Sequence, residues 1–196
     1  MMQFAVIGDP IAHSLSPLLH QEIYRQLHID ASFEKIQLNL DSLASFMTQN
    51  ELDGFNVTVP YKQSVIPFLD ELDESAQTIG AVNCVHYGKG HNTDWVGFLK
   101  AMDINNIVLE GMDCIILGAG GAARAVAYAL IQAGVKSISI QNRTKKKENQ
   151  LLNWINSLFQ NNKPSEQFDV IINCTPLGMW PDTESIPDIP INQGQV

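Results

Sequence analysis

The chain has 196 residues, a formal net charge of −9 at pH 7, 45% hydrophobic residues and 17% charged residues. Its length suits one large domain or two modest ones, and its composition is that of a globular chain with a core. The acidic balance argues against general nucleic-acid binding. No apolar run approaches the roughly 20 residues that span a bilayer, and the N-terminus lacks a signal peptide's basic flank. We therefore expect a soluble, cytoplasmic protein without nucleic-acid or membrane partners.

The cysteines and histidines do not form a metal-binding pattern. Cys84, Cys114 and Cys174 are widely spaced and contain no C-x-x-C pair, which favours reduced core thiols. The five histidines show no ligand spacing, so the sequence predicts no metal site.

The first half of the chain alternates predicted strands and helices. A short apolar strand at 4–7 precedes Ser16 and Pro17, which predict the N-cap and first residue of a helix. The 3.6-residue apolar face of this helix carries Leu18, Leu19, Ile23 and Leu27. Further strands are predicted at 32–40, 54–59, 81–87 and 90–93, with helices at 42–50, 70–80 and 95–103. This order predicts an α/β domain with a mostly parallel sheet and helices on its faces.

Polar residues collect at the predicted strand ends, where open α/β sheets bind ligands. They are Ser14, Ser16, Asn56, Thr58, Lys62, Asn83, Asn92, Thr93 and Asp94. Any one of them alone is more simply a turn or cap residue. Together they suit a small, polyhydroxylated carboxylic acid. Lys62 could exchange a proton with such a substrate, and Asp94 could orient Lys62.

An apolar block at 112–117 leads into the glycine cluster that starts at Gly118 and then into an alanine-rich, helix-forming segment. The turn reads G-x-G-x-x-A, with glycines at 118 and 120 and Ala123 at the close-packing position. Gly118 permits a sharp turn, and Gly120 lets backbone approach a pyrophosphate at a helix N-terminus. A glycine turn between any strand and helix is the simpler alternative. The flanking strand and helix favour dinucleotide binding.

The next predicted strand, at 136–141, ends in a basic cluster. A protein that binds NAD usually has Asp or Glu there for the ribose 2′-hydroxyl. This chain has Gln141-Asn142-Arg143-Thr144-Lys145-Lys146-Lys147, so four of its twelve Lys and Arg residues fall within five positions. A solvated helix start would explain the lysines but not Arg143 at the strand end. The cluster therefore favours NADP.

A boundary precedes the glycine turn. We expect a substrate-binding and catalytic domain at 1–103 and a Rossmann NADP-binding domain at 104–196. Only about three strands are predicted after residue 110, the last at 168–173, whereas a complete fold has about six. Beyond Trp180 no further helix is predicted. The second domain is therefore expected to be incomplete.

Seven motifs, in family order, make the chain resemble the shikimate dehydrogenase family and cover nearly all of it. They are Ser14-Leu15-Ser16-Pro17, Asn56-Val57-Thr58-Val59-Pro60-Tyr61-Lys62, Gly80-Ala81-Val82-Asn83, Asn92-Thr93-Asp94-Trp95-Val96-Gly97, Gly118-Ala119-Gly120-Gly121-Ala122, Asn142-Arg143-Thr144 and Asn173-Cys174-Thr175-Pro176-Leu177-Gly178-Met179. The resemblance implies an oxidoreductase that reversibly reduces 3-dehydroshikimate to shikimate with NADPH in aromatic amino-acid biosynthesis. The resemblance is also compatible with a homodimer.

The resemblance also implies residue roles. Ser14 and Ser16 would hold the substrate carboxylate, and Thr58, Asn83 and Asp94 the ring hydroxyls. Lys62 and Asp94 would form the catalytic pair. The pyrophosphate would lie on Gly118, Ala119, Gly120, Gly121 and Ala122. The adenosine 2′-phosphate would lie on Asn142, Arg143, Thr144, Lys145, Lys146 and Lys147. Glu74 would lie on the nicotinamide side.

The chain departs from the family in three places. Lys147 stands where the family often has a second Arg, and the link from 147 to 168 is short. The family's C-terminal segment, which completes the Rossmann sheet and contacts the nicotinamide, is absent, so we expect little activity from these 196 residues alone. Two alternatives therefore remain: a non-catalytic fragment, or a quinate/shikimate dehydrogenase that uses NAD. The cluster at 143–147 and the absence of an acid at 141 or 142 speak against the second.

Overall fold

The computed structural model describes residues 1–179 and 182–187. The chain divides into two compact α/β units, Met1–Thr93 and Asp94–Val196. The compact units divide after Thr93, whereas the functional domains predicted from sequence divide after residue 103. The helix Asp94–Ile104 packs within the second unit, where Trp95 lies edge-on to Tyr128 with ring centroids 5.2 Å apart.

The first unit is built on a six-stranded sheet with the order β2-β1-β3-β5-β6-β4. Its strands are β1 Met2–Gly8, β2 Ala31–Gln37, β3 Gly54–Val57, β4 Glu71–Leu72, β5 Cys84–His86 and β6 Lys89–His91. The pairs β1–β2, β1–β3 and β4–β6 are parallel, and the pairs β3–β5 and β5–β6 are antiparallel. The helices are α1 Ser16–Leu27, α2 Leu40–Gln49 and α3 Glu74–Ile79, with a short 3-10 helix at Ile66–Phe68. The predicted mostly parallel sheet is confirmed.

One face of this sheet carries the main core of the first unit. Phe55 and Val57 alternate with Asn56 along β3 and are buried in that core. Phe46 of α2 packs edge-on against Phe55, with ring centroids 5.3 Å apart. The core thus fixes β3 and, with it, the start of the segment that follows it.

Helix α1 does not bury its predicted apolar face. The exposed fractions are 67%, 60%, 48% and 65% for Leu18, Leu19, Ile23 and Leu27. The helix rests on the sheet through another side, where His20 stacks on Phe33 with ring centroids 4.0 Å apart. The apolar stripe is present as predicted, but it points away from the described core.

The segment 70–80, predicted as one helix, contains a strand and a shorter helix. Strand β4 ends at Leu72, and α3 begins at Glu74. Between them, the Asp73 carboxylate accepts a hydrogen bond of 2.6 Å from the Ala76 N–H. The prediction of a continuous helix is wrong because Asp73 acts as an N-cap, which requires non-helical backbone at that residue.

The second unit holds a three-stranded parallel sheet in its described part, with the order β8-β7-β9. The strands are β7 Asp113–Leu117, β8 Ser137–Gln141 and β9 Val170–Asn173. Its helices are α4 Asp94–Ile104, α5 Gly121–Gln132 and α6 Lys145–Leu158. Helices α5 and α6 connect the strands, as parallel pairing requires. The three strands match those predicted after residue 110.

Small residues bring α5 close to its sheet. Ala123 and Ala127 are fully buried in one core with Ile116 and Ile138. Gly134, with φ of 72°, follows the end of α5 and provides left-handed backbone there.

Among the described residues, no helix is both long and apolar enough to cross a membrane. We predicted no helix beyond Trp180. Most of that segment, residues 180–181 and 188–196, lies outside the described residues.

Candidate functional site

The ends of β1 and β3 lie side by side in the first unit. The Thr58 N–H donates to the Ile7 carbonyl oxygen at 3.0 Å, and the Asp9 N–H donates to the Val59 carbonyl oxygen at 3.0 Å. An ideal Cβ on Gly8 would lie 2.6 Å from Cγ2 of Thr58. Thr58 therefore packs directly against the Gly8 backbone, where a side chain would not fit.

Backbone hydrogen bonds bring three of the predicted residues together: Thr58, Lys62 and Asn83. The Val82 N–H donates to the Lys62 carbonyl oxygen at 2.7 Å, and the Val57 N–H donates to the Asn83 carbonyl oxygen at 2.8 Å. Thr58 directly follows Val57, and Asn83 directly follows Val82. A hydroxyl, an amine and an amide thus come from neighbouring backbone segments.

Asn83 is held by the residue that ends the first unit. Its amide nitrogen donates to the Thr93 hydroxyl at 2.9 Å, and its side-chain oxygen accepts from the Thr93 N–H at 2.8 Å. The preceding Asn92 is buried, and its amide donates to the Ala81 carbonyl oxygen at 2.9 Å. Asn92 therefore supports the site structurally. Asn83 is left half-buried at the surface.

Ser14 and Ser16 form a hydroxyl pair in the connection between β1 and α1. Their Oγ atoms lie 3.2 Å apart, and the Ser16 N–H donates to the Ser14 Oγ at 3.3 Å. Ser16 is the first helical residue of α1, and Leu15 occupies the N-cap position without a capping side chain. The prediction of Ser16 as N-cap is wrong, because Ser16 already lies inside the helix and Leu15 precedes it.

The two acidic residues of the predicted site, Asp94 and Glu74, each begin a helix. Asp94 is half-buried, directly follows Thr93 and is the first residue of α4 in the second unit. Glu74 is exposed and is the first residue of α3 in the first unit. Glu74 therefore belongs to a different unit from the other predicted cofactor residues.

Asp73 and His91, to which we assigned no role from sequence, help to build the first unit. Asp73 accepts from the Nδ1 of His91 at 2.9 Å as well as from Ala76 and Ser75. Burial raises the pKa of Asp73, but the hydrogen bonds outweigh it and leave the pKa below its usual value. Asp73 is thus an ionised link between α3 and β6. The Asp-Glu-Ser-Ala run at 73–76 was the available signal for this cap.

The glycine turn of the second unit contains two glycines with different environments. Gly118 has φ of 109°, and an ideal Cβ there would lie 2.9 Å from the Cys174 carbonyl oxygen. Gly120 has φ of −96° at the N-cap of α5, and an ideal Cβ there would meet no atom within 4 Å. Neither backbone conformation nor protein packing requires glycine at 120. Open space in front of a helix N-terminus fits a ligand phosphate.

The rest of the turn continues into the helix. Ala119 is half-buried, Gly121 is the first residue of α5, and Ala122 is exposed. Ala123 is fully buried against the sheet, as the fingerprint predicts for its last position.

A cavity of about 360 Å³ lies beside the basic cluster. It is lined by Leu117, Gln141, Asn142, Arg143, Thr175, Pro176, Leu177 and Pro187. The ends of β7, β8 and β9 contribute most of these residues. Arg143 therefore lines a cavity at the carboxyl edge of the parallel sheet, where such sheets bind nucleotides.

The other residues of the basic cluster differ from Arg143 in their surroundings. The Asn142 N–H donates to Glu148 at 2.9 Å, and the Lys145 amine donates to both carboxylate oxygens of Glu148 at 2.9 and 3.0 Å. Thr144 occupies the N-cap of α6, and Lys146 and Lys147 are exposed in its first turn. The structure thus distinguishes Arg143, at the cavity, from Lys145, which is paired with a carboxylate.

Within the described residues, no group of three or more His, Cys, Asp or Glu side chains is arranged to hold a metal ion. Cys114 is buried, and this burial raises the pKa of its thiol to about 12. It is therefore an uncharged core side chain rather than a nucleophile.

Comparison with known proteins assigns both units to a family. The model of the shikimate dehydrogenase substrate-binding domain matches residues 6–85, and that of shikimate/quinate 5-dehydrogenase matches residues 100–177. A shikimate dehydrogenase (NADP(+)) of Staphylococcus aureus is 41% identical over 94% of this chain and 72% of its own length. The chain belongs to the shikimate dehydrogenase family. The resemblance, the enzyme class and the NADP-linked family predicted from the motifs are confirmed.

Solved structures of the family have the same fold. The Thermus thermophilus enzyme in complex with NADP(H) and shikimate has a TM-score of 0.82 and 34% identity, covering 95% of this chain and 73% of that one. The Listeria monocytogenes enzyme in complex with shikimate and NAD has a TM-score of 0.81 and 30% identity, covering 95% and 72%. The chain thus spans a little under three quarters of the length of these shikimate dehydrogenases.

Proposed function

We propose, against the low activity expected from the sequence, that this chain catalyses the reversible, NADP-dependent reduction of 3-dehydroshikimate to shikimate, with Lys62 as the proton donor and acceptor. The observation that carries the proposal is the convergence of Thr58, Lys62 and Asn83 through backbone hydrogen bonds. We further propose that residues 1–103 bind the substrate and carry out catalysis, and that residues 104–196 bind NADP.

The polar groups of the first unit suit the substrate. The Ser14 hydroxyl donates to the Ser16 Oγ at 3.2 Å, and by rotating towards a ligand it would join the Ser16 hydroxyl in donating to the two oxygens of one carboxylate. The amide of Asn83 is held by Thr93 and would bind a ring hydroxyl of the substrate. Thr58 and Asp94 would bind the other ring hydroxyls.

The proton chemistry is assigned to Lys62. NADPH, when bound, supplies a hydride to the substrate carbonyl carbon. The carbonyl oxygen then becomes an alkoxide that needs a proton, and an ammonium group can donate it. In the reverse direction the neutral amine of Lys62 accepts the proton of the hydroxyl. Asp94, as the partner of Lys62 in the proposed pair, would orient the amine and stabilise its charged form.

The residues of the second unit fit NADP. Gly118, Ala119, Gly120, Gly121 and Ala122 would place backbone N–H groups towards the pyrophosphate. Asn142, Arg143, Thr144, Lys145, Lys146 and Lys147 would surround the adenosine 2′-phosphate. The open space at Gly120 and the position of Arg143 at the cavity support this assignment. Glu74 is proposed for the nicotinamide side on the resemblance alone.

NAD remains the alternative cofactor. The Listeria monocytogenes structure holds NAD with shikimate, and the matching family description names quinate as well as shikimate. Against NAD, this chain has Gln141 and Asn142 where an acid would bind the ribose 2′-hydroxyl, followed by Arg143. These residues support NADP.

We also propose a cytoplasmic location and a homodimer. Among the described residues, Cys84, Cys114 and Cys174 are not joined in a disulfide, which suits a reducing compartment. The homodimer rests on the resemblance. Cell fractionation and analytical ultracentrifugation test the two proposals, and a secreted or strictly monomeric protein would contradict them.

The substitution Lys62→Ala tests the proposed chemistry. We expect kcat for shikimate oxidation to fall at least about a hundredfold, the lower end of general acid–base contributions, with a smaller change in KM. Lys89→Ala is the matched control, because it removes a lysine of the same unit that pairs with Glu71 at 3.4 Å. A Lys62→Ala variant that retains most of its kcat would remove Lys62 from this role. A wild-type chain that folds but does not oxidise shikimate would favour the non-catalytic alternative.

A further inference from the structure

Tyr61 places a polar group deep in the core of the first unit. Its side chain is 1% exposed, and its hydroxyl donates a hydrogen bond of 2.6 Å to the Leu38 carbonyl oxygen. Burial and the nearby negative charge of Asp9 raise the pKa of Tyr61, so the phenol is a protonated donor at neutral pH. A phenylalanine would fill the same space without the cost of burying a hydroxyl. The hydroxyl therefore contributes something other than volume, namely a fixed link to the segment between β2 and α2.

This link lies next to Lys62. Tyr61 begins a single helical turn, in which its own N–H donates to the Thr58 carbonyl oxygen at 2.9 Å and its carbonyl oxygen accepts from the Val65 N–H at 3.1 Å. Val65 is fully buried, so core side chains hold the turn at both ends. Lys62 is inside the turn, and its carbonyl oxygen accepts from the Val82 N–H at 2.7 Å. The backbone of Lys62 is thus held by the core on one side and by the Val82–Asn83 segment on the other.

We propose that Tyr61 is a positioning residue for Lys62: its hydroxyl, through the Leu38 carbonyl, fixes the turn that carries the Lys62 amine. The proposal rests on the proposed role of Lys62 in proton transfer. A proton donor must lie within hydrogen-bond reach of the substrate oxygen, and a displacement of about 1 Å can cost on the order of a hundredfold in rate. The contact between residues 38 and 61 therefore serves the site as well as the core.

Tyr61→Phe tests the proposal, because it removes only the hydroxyl. We expect kcat to fall about tenfold or more through loss of alignment, while KM for shikimate stays within about twofold. Tyr24→Phe is the matched control. It removes another phenol of the same unit, which lies 3.3 Å from Nδ1 of His20, and it should leave kcat unchanged.

A double variant separates this proposal from the role of Lys62 itself. If Tyr61 acts through Lys62, adding Tyr61→Phe to Lys62→Ala should cause no further fall in kcat. A further fall equal to that of Tyr61→Phe alone would show a general structural effect and overturn the proposal. If Lys62→Ala retains kcat, the proposed function of Lys62 fails instead.

Amide hydrogen exchange provides a readout that does not depend on turnover. In Tyr61→Phe, the Val82 N–H should exchange faster, because its acceptor is the Lys62 carbonyl. The neighbouring Asn83 N–H donates to the His91 carbonyl oxygen at 3.0 Å and should keep its exchange rate. Equal acceleration at both amides would indicate general loosening of the Val82–Asn83 segment. No change at Val82 would show that the hydroxyl does not fix the turn, and either result overturns the proposal.

Discussion

Gly118 and the carbonyl of Cys174 approach so closely that an ideal Cβ on Gly118 would lie 2.9 Å from the Cys174 oxygen. The Gly118 N–H also donates to the Gln141 carbonyl oxygen at 2.8 Å, and the Cys174 N–H donates to the Leu117 carbonyl oxygen at 2.8 Å. The ends of all three described strands of the second unit therefore meet at this glycine. Its lack of a side chain is required by the protein itself, before any ligand is considered.

Gly118→Ala should therefore destabilise the second unit. The residue has φ of 109°, which L-residues with a Cβ rarely adopt, and the new Cβ would meet backbone rather than a flexible side chain. We expect the free energy of unfolding to fall by about 1–3 kcal/mol, the usual cost of such strain. Urea denaturation followed by circular dichroism would measure it. Unchanged stability would mean that the turn relaxes around the added methyl group.

Gly120→Ala should separate ligand binding from stability. Its φ of −96° is open to alanine, and the added Cβ would meet no protein atom within 4 Å. The free energy of unfolding should change by no more than about 0.5 kcal/mol. NADP affinity should fall at least tenfold, about 1.4 kcal/mol, if the pyrophosphate occupies the open space. Calorimetric titration would measure the affinity, and wild-type binding would place the pyrophosphate elsewhere.

The glycine turn could be predicted from sequence because its signal is local. The apolar block, the spacing of the glycines and the alanine-rich helix all lie within about one βαβ unit, and each follows from backbone sterics. The two different reasons for glycine at 118 and 120 could not be predicted. The requirement at Gly118 comes from Cys174, which is far away in sequence and becomes a neighbour only when β9 pairs with β7.

The errors also have physical causes. Periodicity identified the apolar stripe of α1 but could not show which side packs on the sheet, because Leu19 and His20 are adjacent in sequence and face different surroundings. The helix predicted at 70–80 ignored the capping chemistry of Asp73. In the site, Lys62 was predicted from its residue type and position. The contact of Tyr61 with Leu38 joins the segments that follow β2 and β3, and no local sequence pattern reports it.

Asp73 should make stability depend on acid pH. Its pKa is below the usual value in the folded chain, so it stabilises the fold above the unfolded-state pKa of about 4, and this contribution is lost as pH falls through the lower folded-state value. Asp73→Ala should lower the free energy of unfolding by about 1 kcal/mol at pH 7, as loss of an N-cap does. The difference from wild type should shrink below pH 4. Denaturation curves at several pH values would measure it.

Asp73→Asn is the control for this effect. Asparagine caps helices about as well as aspartate, so the variant should keep most of the stability at pH 7. It cannot ionise, so its stability should lack the contribution that Asp73 loses below pH 4. If Asp73→Ala and wild type keep the same difference from pH 7 down to pH 2, the ionised carboxylate is not what stabilises α3.

Arg143 should decide the choice between NADP and NAD. It lines the cavity of about 360 Å³ at the ends of the parallel strands, whereas the neighbouring Lys145 is paired with Glu148. A guanidinium can donate two parallel hydrogen bonds to a phosphate, which an ammonium cannot do in the same fixed geometry. Arg143→Ala should weaken NADP binding by about 1–3 kcal/mol and leave NAD binding nearly unchanged. Lys100→Ala removes an exposed cation of α4 in the same unit and controls for the change in net charge. Calorimetric titration with both cofactors measures the difference. Equal losses for NADP and NAD would show that Arg143 does not bind the 2′-phosphate, and equal losses in Lys100→Ala would assign the effect to net charge alone.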